Sequence, residues 1–136
     1  MKELRAIFIA AKEDYEGGYI NSIRNLVQAE VFDSELDQAR ELLSSGYRLP
    51  AAVVAGTVLE TTLRQMCSDR NITTGKLDKM NADLVKSGAY NTLMQKKITA
   101  LADLRNKAAH GRSDEFSPHD VSDMISQVRD FVRDQI

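Results

Sequence analysis

AAVVAGTVLETTLRQMC, residues 51–67, is the stretch of sequence that decides the fold. In its first half, apolar and small residues occupy nearly every side of a helical wheel, as expected for a helix surrounded by other helices. Pro50 stands directly before it and suits the first turn of a helix. The stretch therefore predicts a central bundle helix over residues 50–70.

The composition is typical of one soluble globular domain. Of 136 residues, 43% are hydrophobic and 28% are charged, and seven Gly and two Pro leave few helix breakers. The single cysteine, Cys67, cannot form an internal disulfide, which favours a reducing compartment. The apolar N-terminal stretch is too short to span a membrane and is flanked by acidic residues. We therefore expect a cytoplasmic protein with no membrane partner.

Apolar stripes at helical spacing predict helices before the central one. An accessory helix over residues 1–16 is expected to end at Gly17-Gly18, and its stripe comprises Leu4, Ile7, Phe8, Ala11 and Tyr15. A bundle over residues 19–135 is expected to follow, and its first stripe comprises Ile20, Ile23, Leu26, Val27 and Val31. Ser34 and Asp37 resemble a capping box that opens another helix, which is expected to end at Gly46.

Start and stop signals also divide the second half of the chain into helices. A short helix near residues 77–87 is expected to end at Gly88. Helix starts are indicated by a capping box at Thr92 and Gln95, and by Ser117, Pro118 and Asp120. Gly111 is suited to end the helix over 92–110 in a left-handed conformation. No segment alternates with period two, so the predicted fold is an all-α bundle.

The only concentrated positive charge lies on the segment that ends in RNKAAHGR, residues 105–112. Residues 90–112 hold five cations and one acid, whereas the whole chain has a net charge of −2. On a helical wheel, Arg105 lies at the edge of the apolar face, and Asn106 and His110 lie one turn apart on the opposite side. In a purely structural interpretation, these residues form a cationic helix end that interacts favourably with the helix dipole.

Arg105 needs an acidic partner if it lies against the apolar face, because an unpaired buried guanidinium is costly. Glu60 is the only acid between Glu41 and Asp69. We therefore predict that Arg105 is at least half buried and pairs with Glu60.

An Arg, a polar residue directly after it and a His at the end of a long helix resemble the signature of HEPN domains (higher eukaryotes and prokaryotes nucleotide-binding). Here these residues are Arg105, Asn106 and His110, with four residues between the Arg and the His. The central helix resembles the bundle helix that precedes the signature helix, and the short helix near 77–87 resembles the usual insertion. The similarity covers roughly residues 20–135.

The resemblance implies a four-helix up-and-down bundle, commonly dimeric, and in many members a metal-independent endoribonuclease of the toxin or defence type. RNA can be cleaved by attack of its own 2′-hydroxyl on the adjacent phosphorus, which needs no metal or cofactor. His110 would move a proton, Arg105 would hold the phosphate and Asn106 would orient the imidazole. Lys107 and Arg112 would add affinity for the RNA backbone.

A two-fold dimer would bring two Arg–His pairs into one cleft. The implied partners are RNA, a second copy of the chain, and an antitoxin or defence-system protein. Two other interpretations fit the same residues: a HEPN-like domain that binds or dimerises without cutting RNA, and a helical interaction module in which the motif is fortuitous. His119 is expected to be exposed and Cys67 to be a small buried hydrophobe.

Overall fold

The computed structural model describes residues 2–135, with side chains described for Ile20 and for residues 22–135. Its helices are α1 (Lys2–Ser44), α2 (Arg48–Asp69), α3 (Leu77–Lys86), α4 (Thr92–Ala109) and α5 (Pro118–Gln135), with a 3-10 turn at Ser113–Glu115. The prediction of an all-α protein is confirmed for this part of the chain. None of the described helices combines the length and apolarity needed to cross a membrane.

The four long helices form an up-and-down arrangement in which each is antiparallel to the next. Side-chain ion pairs mark three of the contacts: Arg24–Asp69 between α1 and α2, Arg105–Glu60 between α4 and α2, and Arg129–Asp37 between α5 and α1. Helix α2 packs against α1, α3, α4 and α5, so it is the central helix. Together with α5, it lies between α1 and α4. The predicted packing of residues 50–70 against 92–110 is confirmed.

Small residues allow this close packing around α2. Its buried face is rich in alanine and includes Ala51, Ala52, Ala55, Gly56, Val58, Leu59, Leu63 and Cys67. Apolar side chains of α5 fill the facing space, with Val121, Met124, Ile125 and Val128 fully buried. Burial of apolar area stabilises the bundle by roughly 25 cal/mol per Å², so the wide apolar face of α2 explains its central position.

The predicted break at Gly17-Gly18 is wrong, because α1 is one helix from Lys2 to Ser44. Glycine in a helix costs only about 1 kcal/mol relative to alanine, which a long helix can absorb. The predicted capping box at Ser34 and Asp37 is also wrong, because both residues lie inside α1. The side chains of the stripe predicted on residues 1–16 lie outside the described residues.

The first predicted bundle stripe faces solvent. Ile20, Leu26 and Val27 are 62%, 63% and 55% exposed, and Ile23 and Val31 are 43% and 48% exposed. The side chains of α1 that enter the core come later in the helix and are Phe32, Leu36 and Ala39. Helix α1 therefore packs against the bundle with a different face from the one its first stripe predicted.

The helix ends follow the turn signals, with one shift. The cap of α4 is Asn91, whose Oδ1 accepts a hydrogen bond from the Met94 N–H at 2.9 Å, so the capping box predicted at Thr92 is wrong by one position. Asn91 is the cap because its short side chain reaches the backbone N–H groups of the first turn, which have no partner within the helix. The predicted stop signals are confirmed by positive φ at Gly46, Gly88 and Gly111.

Candidate functional site

Arg105 is held against α2 by a glycine and an acid. Gly56 leaves the space that the aliphatic part of Arg105 fills, since a Cβ at position 56 would lie 2.6 Å from the Arg105 Cβ and overlap its Cγ. The Arg105 Nη2 lies 3.0 Å from the Glu60 Oε2, and the Arg105 side chain is 29% exposed. The predicted burial of Arg105 and its pairing with Glu60 are confirmed.

Glu60 also binds a second arginine. Its Oε1 accepts a hydrogen bond from the Arg64 Nη2 at 3.0 Å, so each carboxylate oxygen faces one guanidinium. Both partners fix the orientation of the carboxylate, which in turn fixes the end of the Arg105 side chain. Sequence reasoning missed Arg64, although its position four residues after Glu60 on one helix is the spacing at which such pairs form.

A cavity of about 250 Å³ adjoins this ion pair. Its lining comes from α2, the start of α3 and α4 and consists of Glu60, Lys76, Leu77, Asp78, Ala102, Arg105 and Asn106. Two cations and two carboxylates are thus distributed around it. Lys76 and Asp78 could not be assigned to this place from the sequence, because it is the tertiary contact of the α3 segment that brings them to α4.

His110 lies at the end of α4, outside the lining of this cavity. It is the C-cap residue, its backbone N–H donates to the Asn106 carbonyl at 3.0 Å, and its side chain is exposed. Its backbone lies about 6 Å further along the helix axis than that of Asn106. Within one copy the structure brings Arg105 and Asn106 to the cavity, and it leaves the imidazole on the neighbouring surface.

The two cations expected to bind RNA backbone each lie beside an acid. The Lys107 Nζ is 3.1 Å from the Asp103 Oδ2, and the Arg112 Nη1 is 3.9 Å from the Glu115 Oε2. Lys107 also lines a groove between α4 and α5, whose other residues include Asp120 and Asp123. This groove is acidic. Arg105, which lines the cavity described above, does not line the groove.

Contacts from α2 and α5 hold the segment after His110. The Arg48 Nη2 donates to the Ser113 carbonyl at 2.9 Å, and its guanidinium lies 6.0 Å from the centre of the Phe116 ring. Ser117 and Asp120 form reciprocal hydrogen bonds at the start of α5, as their spacing predicts. Hydrogen bonding to Ser117, first to its backbone N–H and second to its hydroxyl, lowers the pKa of the Asp120 carboxyl.

The remaining titratable side chains named from the sequence lie as expected. His119 is 82% exposed on α5, with its Nε2 3.3 Å from the Asp123 Oδ2. Cys67 is fully buried, and burial raises the pKa of its thiol. A buried thiol with a raised pKa is a poor nucleophile, so Cys67 belongs to the core.

Comparisons with family profiles, curated proteins and solved structures found no match to the chain.

Proposed function

We propose that the protein is a metal-independent endoribonuclease of the HEPN type, whose active site is completed by two copies of the chain. The observation that supports this is the fixed guanidinium of Arg105 at the edge of a cavity shared with Asn106, with His110 exposed one turn further along α4. A cation with a fixed orientation stabilises charge that develops on a phosphate without reorganising during the reaction.

In the proposed reaction, the 2′-hydroxyl oxygen attacks the adjacent phosphorus while one imidazole accepts its proton. The bond from phosphorus to the 5′-oxygen breaks, and a second, protonated imidazole donates a proton to that leaving oxygen. The products are a 2′,3′-cyclic phosphate and a 5′-hydroxyl. His110 is the imidazole that follows Arg105 on α4, so the two transfers use His110 from each of two copies that meet along the end of α4 and the start of α5.

Mutation of each histidine tests this proposal with a matched control. In the presence of a chelator, His110→Ala is expected to lower the rate of RNA cleavage by roughly 10²–10⁴-fold, as removal of a general acid or base does. His119→Ala removes the other imidazole of the chain and is expected to keep the parent rate, because the proposed proton transfers use His110 alone. An RNA with a single 2′-deoxy nucleotide at the cleaved position should resist both proteins.

Arg105 is best tested with a variant that keeps its packing. Arg105→Lys retains the aliphatic part of the side chain beside Gly56 and the charge, but it loses the planar fork that binds phosphate oxygens. We expect reduced cleavage with an unchanged denaturation midpoint. Full activity in Arg105→Lys and His110→Ala would refute the proposed chemistry.

The alternative is a HEPN-like domain that binds or dimerises without cutting RNA. The observation that favours it is charge compensation: Glu60 neutralises Arg105 and also contacts Arg64, and Lys107 lies beside Asp103. A purified protein that remains associated but cleaves no RNA in any form would support this alternative over the nuclease.

A further inference from the structure

One lysine of the cavity beside Arg105 has no role in the reaction described above. Lys76 lines this cavity together with Arg105 and Asn106. Its side chain is exposed, and within residues 22–135 it forms no ion pair with a carboxylate. Lys107 and Arg112, the cations predicted to bind the RNA backbone, each lie beside an acid. Lys76 thus brings to the cavity a positive charge that is not engaged by an acid of the described chain.

The two acids that line the same cavity have other roles. Glu60 binds Arg105 and Arg64, one with each carboxylate oxygen. Asp78 follows Lys76 by two positions, and side chains at this spacing on a helix do not face each other. Asp78 lies in the first turn of α3, where a carboxylate interacts favourably with the helix dipole. Lys76 therefore remains available to a ligand of the cavity.

The stability of α3 does not explain a lysine at position 76. Lys76 is the N-cap of α3, and its side chain makes no capping hydrogen bond. The N-terminus of a helix carries partial positive charge, so a cation is unfavourable there. Lys86, in the last turn of the same helix, lies where a cation is favourable. The charge of Lys76 is therefore better explained by a ligand of the cavity than by α3.

Contacts of the α3 segment hold Lys76 in place beside α4. The Lys79 Nζ donates to the Thr73 carbonyl at 3.2 Å, which ties the loop before Lys76 to α3. The Asn81 Nδ2 donates to the Gln95 carbonyl at 3.1 Å and docks α3 onto α4. The backbone of Lys76 thus has a defined position at the cavity, while its four-carbon side chain can adapt to a ligand.

The size and the cations of the cavity indicate its ligand. A volume of about 250 Å³ is below the range of sites for drug-sized molecules, and it suits a phosphate group better than a whole nucleotide. Arginine binds phosphate through a planar fork, and lysine binds it as a point charge. With Arg105 at the phosphate that is cleaved, we propose that Lys76 binds a neighbouring phosphate of the same RNA strand. This inference rests on the proposed function, because RNA is the ligand in both.

The inference changes the expected path of the RNA on the protein. Lys107 lines the acidic groove between α4 and α5, whereas Lys76 lies on the α3 side of α4. A strand bound by Arg105 and Lys76 runs from the end of α4 toward the start of α3 and avoids the acidic groove. The substrate is then an RNA strand that extends beyond the cleaved phosphate.

The salt dependence of RNA binding tests the role of Lys76. The probe is a single-stranded, fully 2′-O-methylated oligonucleotide, which lacks the attacking hydroxyl and stays intact. Each phosphate contact on a single strand contributes about 0.7 to the slope of log affinity against log salt concentration. Lys76→Gln should therefore reduce the steepness of this slope by about 0.7, which corresponds to a roughly fivefold loss of affinity at 0.1 M salt. Lys76→Arg keeps the charge and should keep the parent slope.

Lys86→Gln is the matched control, because it removes the same charge from the same helix. Lys86 is exposed and, within residues 22–135, forms no ion pair. It lies ten residues after Lys76, roughly 15 Å further along the helix axis. This variant should keep the parent slope. Circular dichroism and the urea midpoint of every variant show that the bundle is folded.

Cleavage of substrates of different length separates the neighbouring phosphate from the cleaved one. Lys76→Gln should raise KM for an RNA oligonucleotide. A dinucleoside monophosphate has only the phosphate that is cleaved, so the difference between parent and variant should shrink with this substrate. An equal difference for both substrates would overturn the proposal, because Lys76 would then act at the cleaved phosphate.

The binding measurements can also overturn the proposal. A parent slope in Lys76→Gln would do so, and so would a parent that does not bind the oligonucleotide. An equal loss in Lys86→Gln would overturn it as well, because the effect would then belong to net charge. If binding depends on Lys76 but no form of the protein cleaves RNA, the phosphate contact stands and the proposed nuclease chemistry fails.

Discussion

At the scale of single residues, Arg105 has two roles that share one side chain. Its aliphatic part fills the space left by Gly56, and its guanidinium is held by Glu60. A residue that contributes to packing keeps its charged end in a defined position, which is what a phosphate-binding group requires. The same packing makes position 56 sensitive to substitution.

We predict that Gly56→Ala destabilises the protein, although alanine is the better helix former by about 1 kcal/mol. The new Cβ would lie 2.6 Å from the Arg105 Cβ and overlap the Cγ, and the Cβ cannot move without shifting α4. Such overpacking costs about 1–3 kcal/mol, so the urea midpoint should fall with an unchanged slope. Gly75→Ala is the control, since its Cβ meets only the flexible Lys79 Cδ at 3.2 Å.

The cap of α5 gives a prediction that depends on pH. Hydrogen bonds from Ser117 lower the pKa of the Asp120 carboxyl in the folded protein. The carboxylate therefore stabilises the fold fully above its unfolded pKa of about 3.9. This stabilisation is lost as the pH falls through the lower pKa of the folded state. Asp120→Asn should therefore lower the urea midpoint at pH 7, with a smaller difference near pH 3. Asp130→Asn, which removes the same charge from an exposed position later in α5, is the control for the change in net charge.

The Arg105–Glu60 pair could be predicted from the sequence, whereas the packing beneath it could not. Glu60 was the only acid in a long apolar segment, and a buried arginine needs a carboxylate. The role of Gly56 depends on how closely α2 and α4 approach each other. Lys76 reaches the cavity only through the tertiary packing of its segment. A local sequence pattern contains neither the separation of α2 and α4 nor the distance from Lys76 to the cavity.

At the scale of elements, helix starts and stops were predicted better than helix continuity. Gly46, Gly88 and Gly111 stop or follow helices because positive φ is accessible to glycine. The same residue type at Gly17-Gly18 does not stop α1. A glycine permits a turn without requiring one, so other residues decide whether the chain leaves the helix.

A hydrogen-bond network that docks α3 onto α4 gives an element-scale prediction. Asn81 is 2% exposed, its Nδ2 donates to the Gln95 carbonyl at 3.1 Å, and its Oδ1 accepts from the Tyr90 hydroxyl at 2.6 Å. Tyr90→Phe leaves that buried oxygen without this donor, which should cost about 1–3 kcal/mol. Faster amide exchange in α3 should accompany the loss.

Tyr47→Phe is the matched control for Tyr90→Phe, because Tyr47 is 59% exposed and its hydroxyl is accessible to water. We expect its unfolding free energy to stay within about 0.5 kcal/mol of the parent. Equal effects of the two substitutions would contradict a specific role for the Asn81 network. Burial raises the pKa of the Tyr90 hydroxyl, so it remains a donor at neutral and mildly alkaline pH.

At the scale of the whole molecule, the proposed nuclease site needs a second copy of the chain. The site uses the end of α4 and the start of α5, and helices α2 and α5 lie between α4 and α1. A symmetric contact closes into a dimer, and a substitution far from that contact leaves the dimer intact. Assembly and activity should therefore be separable by mutation.

We predict different behaviour for two variants. Val27→Glu should keep both the parent mass and the parent rate of RNA cleavage, because Val27 is 55% exposed on α1 and α1 is separated from α4 by α2 and α5. His110→Ala should lose cleavage and keep the parent mass, because an exposed imidazole at the end of α4 contributes little to folding. Mass and single-turnover cleavage would be measured on the same samples at the same concentration. If Val27→Glu abolished cleavage while remaining folded, the composite site would depend on α1, and its assignment to the end of α4 and the start of α5 would be wrong.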